Sequence, residues 1–283
     1  MGNPMPTAAP AHNLIRVFPR RTKATPDDDM VVIGRPPGLF DEAEEVHVSV
    51  AFSWDIPLAE KLAVEWSRIA PTKLGGPATM SKSEEFEPGK YIKKGYVITS
   101  RGCPNRCWFC SVWRREGTEV RELPITDGWN ILDDNLMACS ESHIRDVFVM
   151  LSRQKHPVEF TGGLEALRLK DWHVNLLAEL RPKQLFFAYD TNDDYEPLMI
   201  AAKKLREVFT VASHALRAYV LIGYPNDTMD EADKRLVETY RLGYLPMAML
   251  WKNNKGETDH DWRVFQRLWA RPQIICARMK QVI

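Results

Sequence analysis

The stretch TSRGCPNRCWFCSVWRREG, residues 99–117, carries three of the five cysteines in the chain. Cys103, Cys107 and Cys110 have the spacing C-x3-C-x2-C and follow the apolar segment YVITS, whose composition is typical of a strand. Three thiolates so arranged can bind three irons of a four-iron, four-sulfur cluster and leave the fourth iron without a protein ligand. Clustered thiols in a cysteine-poor chain therefore indicate a metal centre and not a disulfide framework.

A structural zinc site is the alternative for these cysteines. Such a site is usually closed by four ligands, often arranged as paired C-x2-C units. The sequence has no second pair, and His156 would have to be recruited as the fourth ligand. The spacing therefore favours iron–sulfur over zinc. Cys139 and Cys276 stand alone in the sequence, and we expect each to be a small buried hydrophobic residue.

Strand-like and helix-like segments alternate after residue 94. The six strand-like segments are YVITS, NILDD, VEFTGG, QLFFAYD, AYVLIGYP and LPMAMLW. Repeated strand-then-helix units with apolar strands predict a parallel sheet covered by helices. Six strands fall short of the eight of a closed TIM barrel. The predicted fold class is therefore α/β, with residues 94–283 forming a partial (β/α)6 TIM-like barrel that ends in a helical tail.

The first third of the chain predicts a separate small unit. Residues 1–29 mix Pro, Ala, Arg and Asp without an apolar period, which predicts an irregular N-terminal arm. In residues 30–93, the segment VHVSVAF (46–52) alternates like a strand. Leu58, Leu62, Trp66 and Ile69 then have the spacing of one helix face. We expect a small Rossmann-like α/β unit over residues 30–93.

Polar residues and glycines recur where the predicted strands of the larger domain end. They are Asp133, Asp134, Gly162, Gly163, Asp190 and residues 223–226. In parallel α/β architectures the carboxyl ends of the strands form the ligand-binding face. We therefore expect these residues to converge on one site.

The cysteine motif resembles that of the radical S-adenosylmethionine (SAM) superfamily, in which an aromatic residue precedes the last cysteine. Phe109 occupies that position, and the resemblance covers residues 94–251. It implies a 4Fe-4S cluster bound by Cys103, Cys107 and Cys110, with SAM chelating the open iron. It also implies reductive cleavage of SAM to a 5′-deoxyadenosyl radical, which abstracts a hydrogen atom from the substrate.

The same resemblance implies candidate contacts to SAM. Two strand ends, residues 133–135 and 162–165, are alternatives for binding the amino group, and the sequence does not choose between them. The segment LIGYPNDTMDEA resembles the turn that borders adenine, and Asp190 follows the strand that often contacts ribose or carboxylate. The candidate cofactor-binding residues are Phe109, Asp133, Asp134, Asn135, Gly162, Gly163, Glu165, Asp190, Gly223 and Pro225.

The predicted N-terminal unit faintly resembles the cobalamin-binding domain that precedes some radical SAM domains. It lacks the Asp-x-His-x-x-Gly motif that would supply an axial histidine, and His47 lies inside a predicted strand. We therefore expect a reduced cap without cobalamin.

The resemblance and the low cysteine count imply a one-cluster reaction on an unidentified substrate. Cys139 and Cys276 are too few for a second cluster. An isomerisation, an elimination or a nucleotide or nucleic-acid base modification remains open, so the enzyme class would be oxidoreductase, lyase or isomerase. A reductant such as flavodoxin or ferredoxin is the expected partner. The alternative is an iron–sulfur binding or electron-transfer module that does not cleave SAM.

Charge and hydropathy limit the partners. Lys plus Arg and Asp plus Glu number 38 each, so no global field attracts nucleic acid, and such a partner would need a local patch. The cysteine loop is locally basic, with Arg101, Arg106, Arg114, Arg115 and Arg121 against Glu116 and Glu119. No apolar run approaches the roughly 20 residues of a membrane span, and none near the start resembles a signal peptide. We expect a cytoplasmic protein without membrane contact.

Overall fold

The computed structural model describes residues 13–83, 85–208 and 215–282. The chain divides into two compact units. The first comprises the residues up to 81 together with 90–93, and the second comprises 82–89 and 94–283.

The first unit contains a parallel sheet with the order β2-β1-β3-β4. Its elements are β1 (Leu14–Phe18), β2 (Val31–Ile33), β3 (Glu45–Ser49), α1 (Ile56–Trp66) and β4 (Thr72–Gly75). Val17, Val46, Leu62 and Trp66 are almost fully buried and form its core. Helix α1 connects two neighbouring parallel strands, as such a connection requires.

Strand β1 lies within the segment for which the sequence predicts an irregular arm. The run LIRVF pairs with β2 on one side and β3 on the other, which buries Ile15 and Val17. Five apolar-rich residues among prolines and arginines give a weak local pattern, and pairing on both sides stabilises them as a strand. Residues 1–12 of the predicted arm lie outside the described residues.

The second unit contains a six-stranded, wholly parallel sheet with the order β12-β11-β10-β9-β8-β5. A small antiparallel pair, β6–β7, follows β5. The strands are β5 (Tyr96–Val97), β6 (Ser100–Arg101), β7 (Arg121–Glu122), β8 (Asn130–Ile131), β9 (Glu159–Phe160), β10 (Gln184–Ala188), β11 (Leu216–Ile222) and β12 (Leu245–Leu250). The predicted mixed α/β fold with a parallel sheet is confirmed.

Helices follow most of these strands. They are α2 (Val112–Arg115), α3 (Glu141–Ser152), α4 (Asp171–Leu180), α5 (Tyr195–Val208), α6 (Met229–Arg241), α7 (His260–Leu268) and α8 (Pro272–Val282). Hydroxyl caps begin two of them, because Ser140 Oγ accepts from His143 N–H at α3 and Thr228 Oγ1 accepts from Glu231 N–H at α6. These caps end the connections between strand and helix.

Strand β11 alternates between buried and half-buried residues. Leu216, Ala218, Val220 and Ile222 are buried in the hydrophobic core, whereas the residues between them are partly exposed. Near the C-terminus, Phe265 and Trp269 are buried. Among the described residues, no helix combines the length and hydropathy that a membrane span requires.

Candidate functional site

The cysteine loop connects β6 to α2 and folds back on itself. Cys110 N–H donates to Cys107 O over 3.1 Å, and Cys103 N–H donates to Gly117 O over 3.3 Å. Gly102, at φ +93°, begins the loop, and a Cβ there would lie 2.3 Å from Glu119 O. A glycine is needed at this position because any side chain would collide with backbone. The backbone thus holds the three half-buried cysteines in one short loop.

The three thiols influence one another electrostatically. Burial, together with the neighbouring Cys110 and Cys103 thiols, raises the pKa of Cys107 to about 11. Burial also raises the pKa of Cys110. Thiols that resist ionisation become thiolates when a positive metal centre lies beside them. The donor set therefore fits an iron–sulfur cluster bound by Cys103, Cys107 and Cys110.

A buried charge network supports the loop. Glu116, which is 3% exposed, accepts from Arg115 Nε–H over 2.9 Å and from Arg121 over 2.7 Å. Asp134 accepts from Gly102 N–H over 3.0 Å, with Arg101 and Arg115 within 4.0 Å of its carboxylate. Three of the five loop arginines are therefore paired with carboxylates. Arg106 and Arg114 are the exposed members of the basic group.

Asp133, although adjacent to Asp134, has a different environment. It is 2% exposed and accepts from Thr99 N–H and Thr99 Oγ1–H at 2.6 Å each and from Ser100 Oγ–H at 2.8 Å. Its ligand atoms lie within 4.8 Å of those of Cys139 and His143. Both carboxylate oxygens already accept hydrogen bonds, so this group is a buried network that joins the end of β8 to the end of β5.

Asn135 connects the cysteine loop to two strand ends. Its Nδ2 donates to Cys103 Sγ over 3.4 Å and to Glu165 Oε2 over 2.7 Å. The two segments between which the sequence does not choose, 133–135 and 162–165, thus meet at this amide. Asn135 is 5% exposed, and its Oδ1 has no hydrogen-bond partner among the described residues. A buried carbonyl oxygen of this kind can accept a hydrogen bond from a ligand.

The two glycines after β9 differ in their surroundings. A Cβ at Gly162 would lie 2.8 Å from Asp133 O, so this glycine permits the close approach of the β9 and β8 ends. Gly163 has φ +94°, and a Cβ added there would meet no described atom within 4 Å. Space beside Gly163 is therefore available, whereas Gly162 is enclosed by backbone.

Asp190 follows β10 and is stabilised in its protonated form. Burial, together with the neighbouring Asp194, raises its pKa to about 7. Its Oδ1 accepts from Leu221 N–H over 2.9 Å. The charges of Asp194 and Asp190 in turn raise the pKa of Cys107, which indicates that the β10 end lies close to the cysteine loop.

The segment after β11 also contacts the loop. The Tyr224 ring packs edge-on against Trp108 at 5.4 Å, and Trp108 packs edge-on against Phe109 at the same distance. Gly223 N–H donates to Asp227 over 2.8 Å, and Asp227 pairs with Arg235 over 2.9 Å. This ion pair holds the turn that contains Gly223 and Pro225.

Sequence reasoning placed Tyr224 in the converging segment 223–226 without a role of its own, and it did not identify Asp227 or Arg235. Asp227 stands just before the hydroxyl cap of α6, where an acidic residue is commonplace, so no local signal separates it from a helix-start residue. Its partner Arg235 is two turns further along α6. His156, considered as a fourth metal ligand, stacks on Trp129 with 3.8 Å between ring centroids.

Comparison with known proteins bears on the fold. No family model matches the sequence, and no curated protein sequence matches it. A solved structure of the radical SAM methyltransferase TsrM from Kitasatospora setae, with cobalamin and a [4Fe-4S] cluster bound, matches with a TM-score of 0.56 and 12% identity. The match covers 85% of this chain and 75% of TsrM. The chain has a radical SAM-like α/β fold. At this identity the likeness is one of fold alone.

Proposed function

We propose that this protein is a radical SAM enzyme that binds a 4Fe-4S cluster through Cys103, Cys107 and Cys110. The observation that carries the proposal is the position of the cysteine loop beside the β8 and β9 ends, to which Asn135 joins it through Cys103 Sγ and Glu165. When bound, the cluster supplies the electron that cleaves SAM reductively to a 5′-deoxyadenosyl radical for hydrogen abstraction. The protein's own residues bind the thiolate-ligated iron and orient SAM.

Asn135 is the residue that we assign to the SAM amino group. An ammonium group is a donor, and the unpartnered Oδ1 of Asn135 is a buried acceptor close to Cys103. Glu165, held by Asn135 and by Arg168 Nε–H over 2.7 Å, adds a negative charge nearby. Asp133 and Asp134 do not contact SAM in this proposal. Their carboxylates instead position the site, because Asp133 holds the β5 end and Asp134 holds the cysteine loop.

The remaining contacts are proposed from the same strand ends. The open space at Gly163 accommodates part of SAM. The turn of Gly223 and Pro225 borders adenine, next to the aromatic group of Phe109, Trp108 and Tyr224. Asp190 contacts the ribose or the methionine carboxylate, and its raised pKa suits a hydrogen-bond donor to a carboxylate. In this proposal the six-stranded sheet curves into a partial barrel around the cofactor.

The substrate is proposed as a small molecule or a nucleotide, with a flavodoxin or ferredoxin as reductant. The exposed Arg106 and Arg114 on the cysteine loop suit an acidic electron donor. A nucleic-acid substrate would have to use such a local patch, because the net charge is zero.

The test is anaerobic reconstitution with iron and sulfide, followed by dithionite and SAM. We expect about four irons per chain and the formation of 5′-deoxyadenosine, detected by chromatography. Iron without 5′-deoxyadenosine would support the alternative, an iron–sulfur module that does not cleave SAM. One stoichiometric zinc in place of iron would refute both.

A second candidate is a cobalamin-dependent methyl transfer. The match to a cobalamin-bound methyltransferase covers a larger share of this chain than the second unit occupies. The missing axial-histidine motif favours a reaction without cobalamin. Reconstitution with added hydroxocobalamin and cobalt analysis decides between the two, because stoichiometric cobalt would favour methyl transfer.

A further inference from the structure

The buried charge network that supports the cysteine loop has more positive than negative charge. Its three guanidinium groups and two carboxylates are those of Arg101, Arg115, Arg121, Glu116 and Asp134. Arginine stays protonated in proteins, so the network sums to one positive charge when both acids are ionised. The side chains of Glu116, Arg115 and Asp134 are 0%, 6% and 8% exposed, so solvent screens this charge little.

The network lies next to the cysteines at both ends of the loop. Asp134 accepts from Gly102 N–H over 3.0 Å, directly before Cys103. Helix α2 begins two residues after Cys110, and Arg115 Nη2 of this helix lies 3.8 Å from Asp134 Oδ1. Burial raises the pKa of Cys110, and the charge of Arg115 acts against that rise. The Arg115 guanidinium is therefore within electrostatic reach of a loop thiol.

Neighbouring groups do not neutralise the surplus charge. Arg101 Nε and Arg121 Nε are buried and have no hydrogen-bond partner among the described residues. Burial lowers the pKa of Arg101, although Asp134 acts against the decrease. Asp133 is close to Arg101, but burial raises its pKa and so favours its neutral form. A buried charge without an equal counter-charge is costly, and the network therefore lacks one negative charge.

A 4Fe-4S core bound by three thiolates has a charge of that sign. An oxidised core with two positive charges and three thiolates carries one net negative charge, and reduction adds a second. A fixed positive charge close by stabilises the reduced form more than the oxidised form, which raises the reduction potential. This step rests on the cluster of the proposed function, but it does not require SAM cleavage.

We propose that the network is the counter-charge of the iron–sulfur cluster and raises its reduction potential. Arg115 and Arg101 supply the positive charge, and Glu116 and Asp134 hold them in place. Arg114, on the same loop and exposed, contributes little because solvent and salt screen it. Buried arginines, more than exposed ones, therefore make the cluster easier to reduce.

Redox titration of the anaerobically reconstituted full-length protein, monitored by electron paramagnetic resonance without SAM, tests the sign of each charge. Arg115→Gln removes a buried positive charge and should shift the midpoint potential to a more negative value. Glu116→Gln removes a buried negative charge at nearly the same volume and should shift it to a less negative value. Arg115→Lys keeps the charge and should stay close to the wild type. Loosening of the loop alone would not move the two Gln variants in opposite directions.

Arg114→Gln is the matched control, because Arg114 is the exposed neighbour of Arg115 on α2 and loses the same charge. Its shift should be smaller and should disappear at about 1 M salt, where the screening length is about 3 Å. The shift of Arg115→Gln should persist there. Equal shifts in the two arginine variants, or shifts of one sign in Arg115→Gln and Glu116→Gln, would overturn the proposal.

Iron analysis separates this proposal from the proposed function. Should Arg115→Gln fail to bind iron, Arg121→Gln takes its place, because the Arg121 side chain is 34% exposed and its loss disturbs the fold less. It should also make the midpoint potential more negative. A wild-type protein without iron would refute the cluster and this proposal together, whereas a cluster whose potential responds to neither charge would refute this proposal alone. The titration gives its answer whether or not the cluster cleaves SAM.

Discussion

The two parallel sheets differ in what lies at the carboxyl ends of their strands. In the first unit, Arg20 after β1 makes two hydrogen bonds of 2.5 Å to Asp55, and a Cβ at Gly76 after β4 would lie 2.6 Å from Val50 O. In the second unit, Asn135 Oδ1 is buried without a partner among the described residues, and the space beside Gly163 is open. The same α/β topology thus has an internally paired edge in one unit and an edge with an available acceptor in the other. Unsatisfied polar groups, more than topology, mark the edge that can bind a ligand.

The largest expected effect is loss of the cluster, which should follow substitution of a loop cysteine but not of Cys139 or Cys276. Cys103→Ala, Cys107→Ala or Cys110→Ala should abolish both the iron content and 5′-deoxyadenosine formation, because each removes a thiolate ligand. Cys139→Ala and Cys276→Ala are matched controls and should retain about four irons. Iron analysis and the visible spectrum measure this. Loss of iron in Cys276→Ala would mean that the fourth iron has a protein ligand.

The next comparison concerns an ion pair in each unit. Arg235 and Asp227 have side chains 3% and 0% exposed, whereas Arg20 is 52% exposed beside Asp55. Arg235→Met should lower the free energy of unfolding by about 3–5 kcal/mol, because it leaves a buried carboxylate unpaired. Arg20→Met should cost less, about 1 kcal/mol, because the guanidinium it removes is half-exposed and already screened by solvent, although Asp55 itself is 7% exposed. Urea denaturation of the cluster-free protein measures both, and equal losses would contradict the contrast.

A smaller effect follows from Asp190 and depends on pH. Burial raises its pKa from about 3.9 in the unfolded chain to about 7 in the fold, so the folded state binds the proton more tightly. Asp190 should therefore lower the free energy of unfolding as the pH rises from about 4 to 7. Above about pH 7 this decrease should be complete. Asp190→Asn should remove this dependence and stabilise the protein at pH 8 by up to roughly 4 kcal/mol.

Urea midpoints of the cluster-free protein between pH 5 and 8 check this slope. Asp193→Asn, at an exposed neighbour in the same turn, is the control and should titrate like the wild type. A wild-type slope in Asp190→Asn would show that other groups cause the dependence.

The smallest effect tests the unpartnered amide oxygen. Asn135→Ala should weaken SAM binding to the reconstituted protein about tenfold, as expected for one hydrogen bond to an ammonium group. It should leave iron content unchanged and lower the cluster's reduction potential, because a hydrogen bond to Cys103 Sγ is lost. Calorimetry and redox titration measure these effects, with Asn175→Ala on the exposed face of α4 as control. Unchanged affinity would assign the amino group to other residues.

Local sequence predicted the alternation of strands and helices well and the first unit less well. The six strand-like segments after residue 94 correspond to the six strands of the sheet. In α1, Leu62 and Trp66 are buried as their spacing predicts, but Leu58 is 40% exposed and Ala59 is buried instead. Ile69 lies beyond the end of the helix and is 41% exposed. Strand β1 gave too short a pattern to be recognised.

The sequence by itself determined the three thiols of the candidate centre and the parallel α/β class, because ligand spacing and apolar periodicity are local properties of the chain. The tertiary structure decided the roles of adjacent residues that look equivalent in the sequence. Asp133 is used within a buried network, Asp134 holds Gly102, and Asn135 bridges Cys103 and Glu165. Which polar atom is left for a ligand depends on partners distant in sequence, and those partners are brought together when the strands pair.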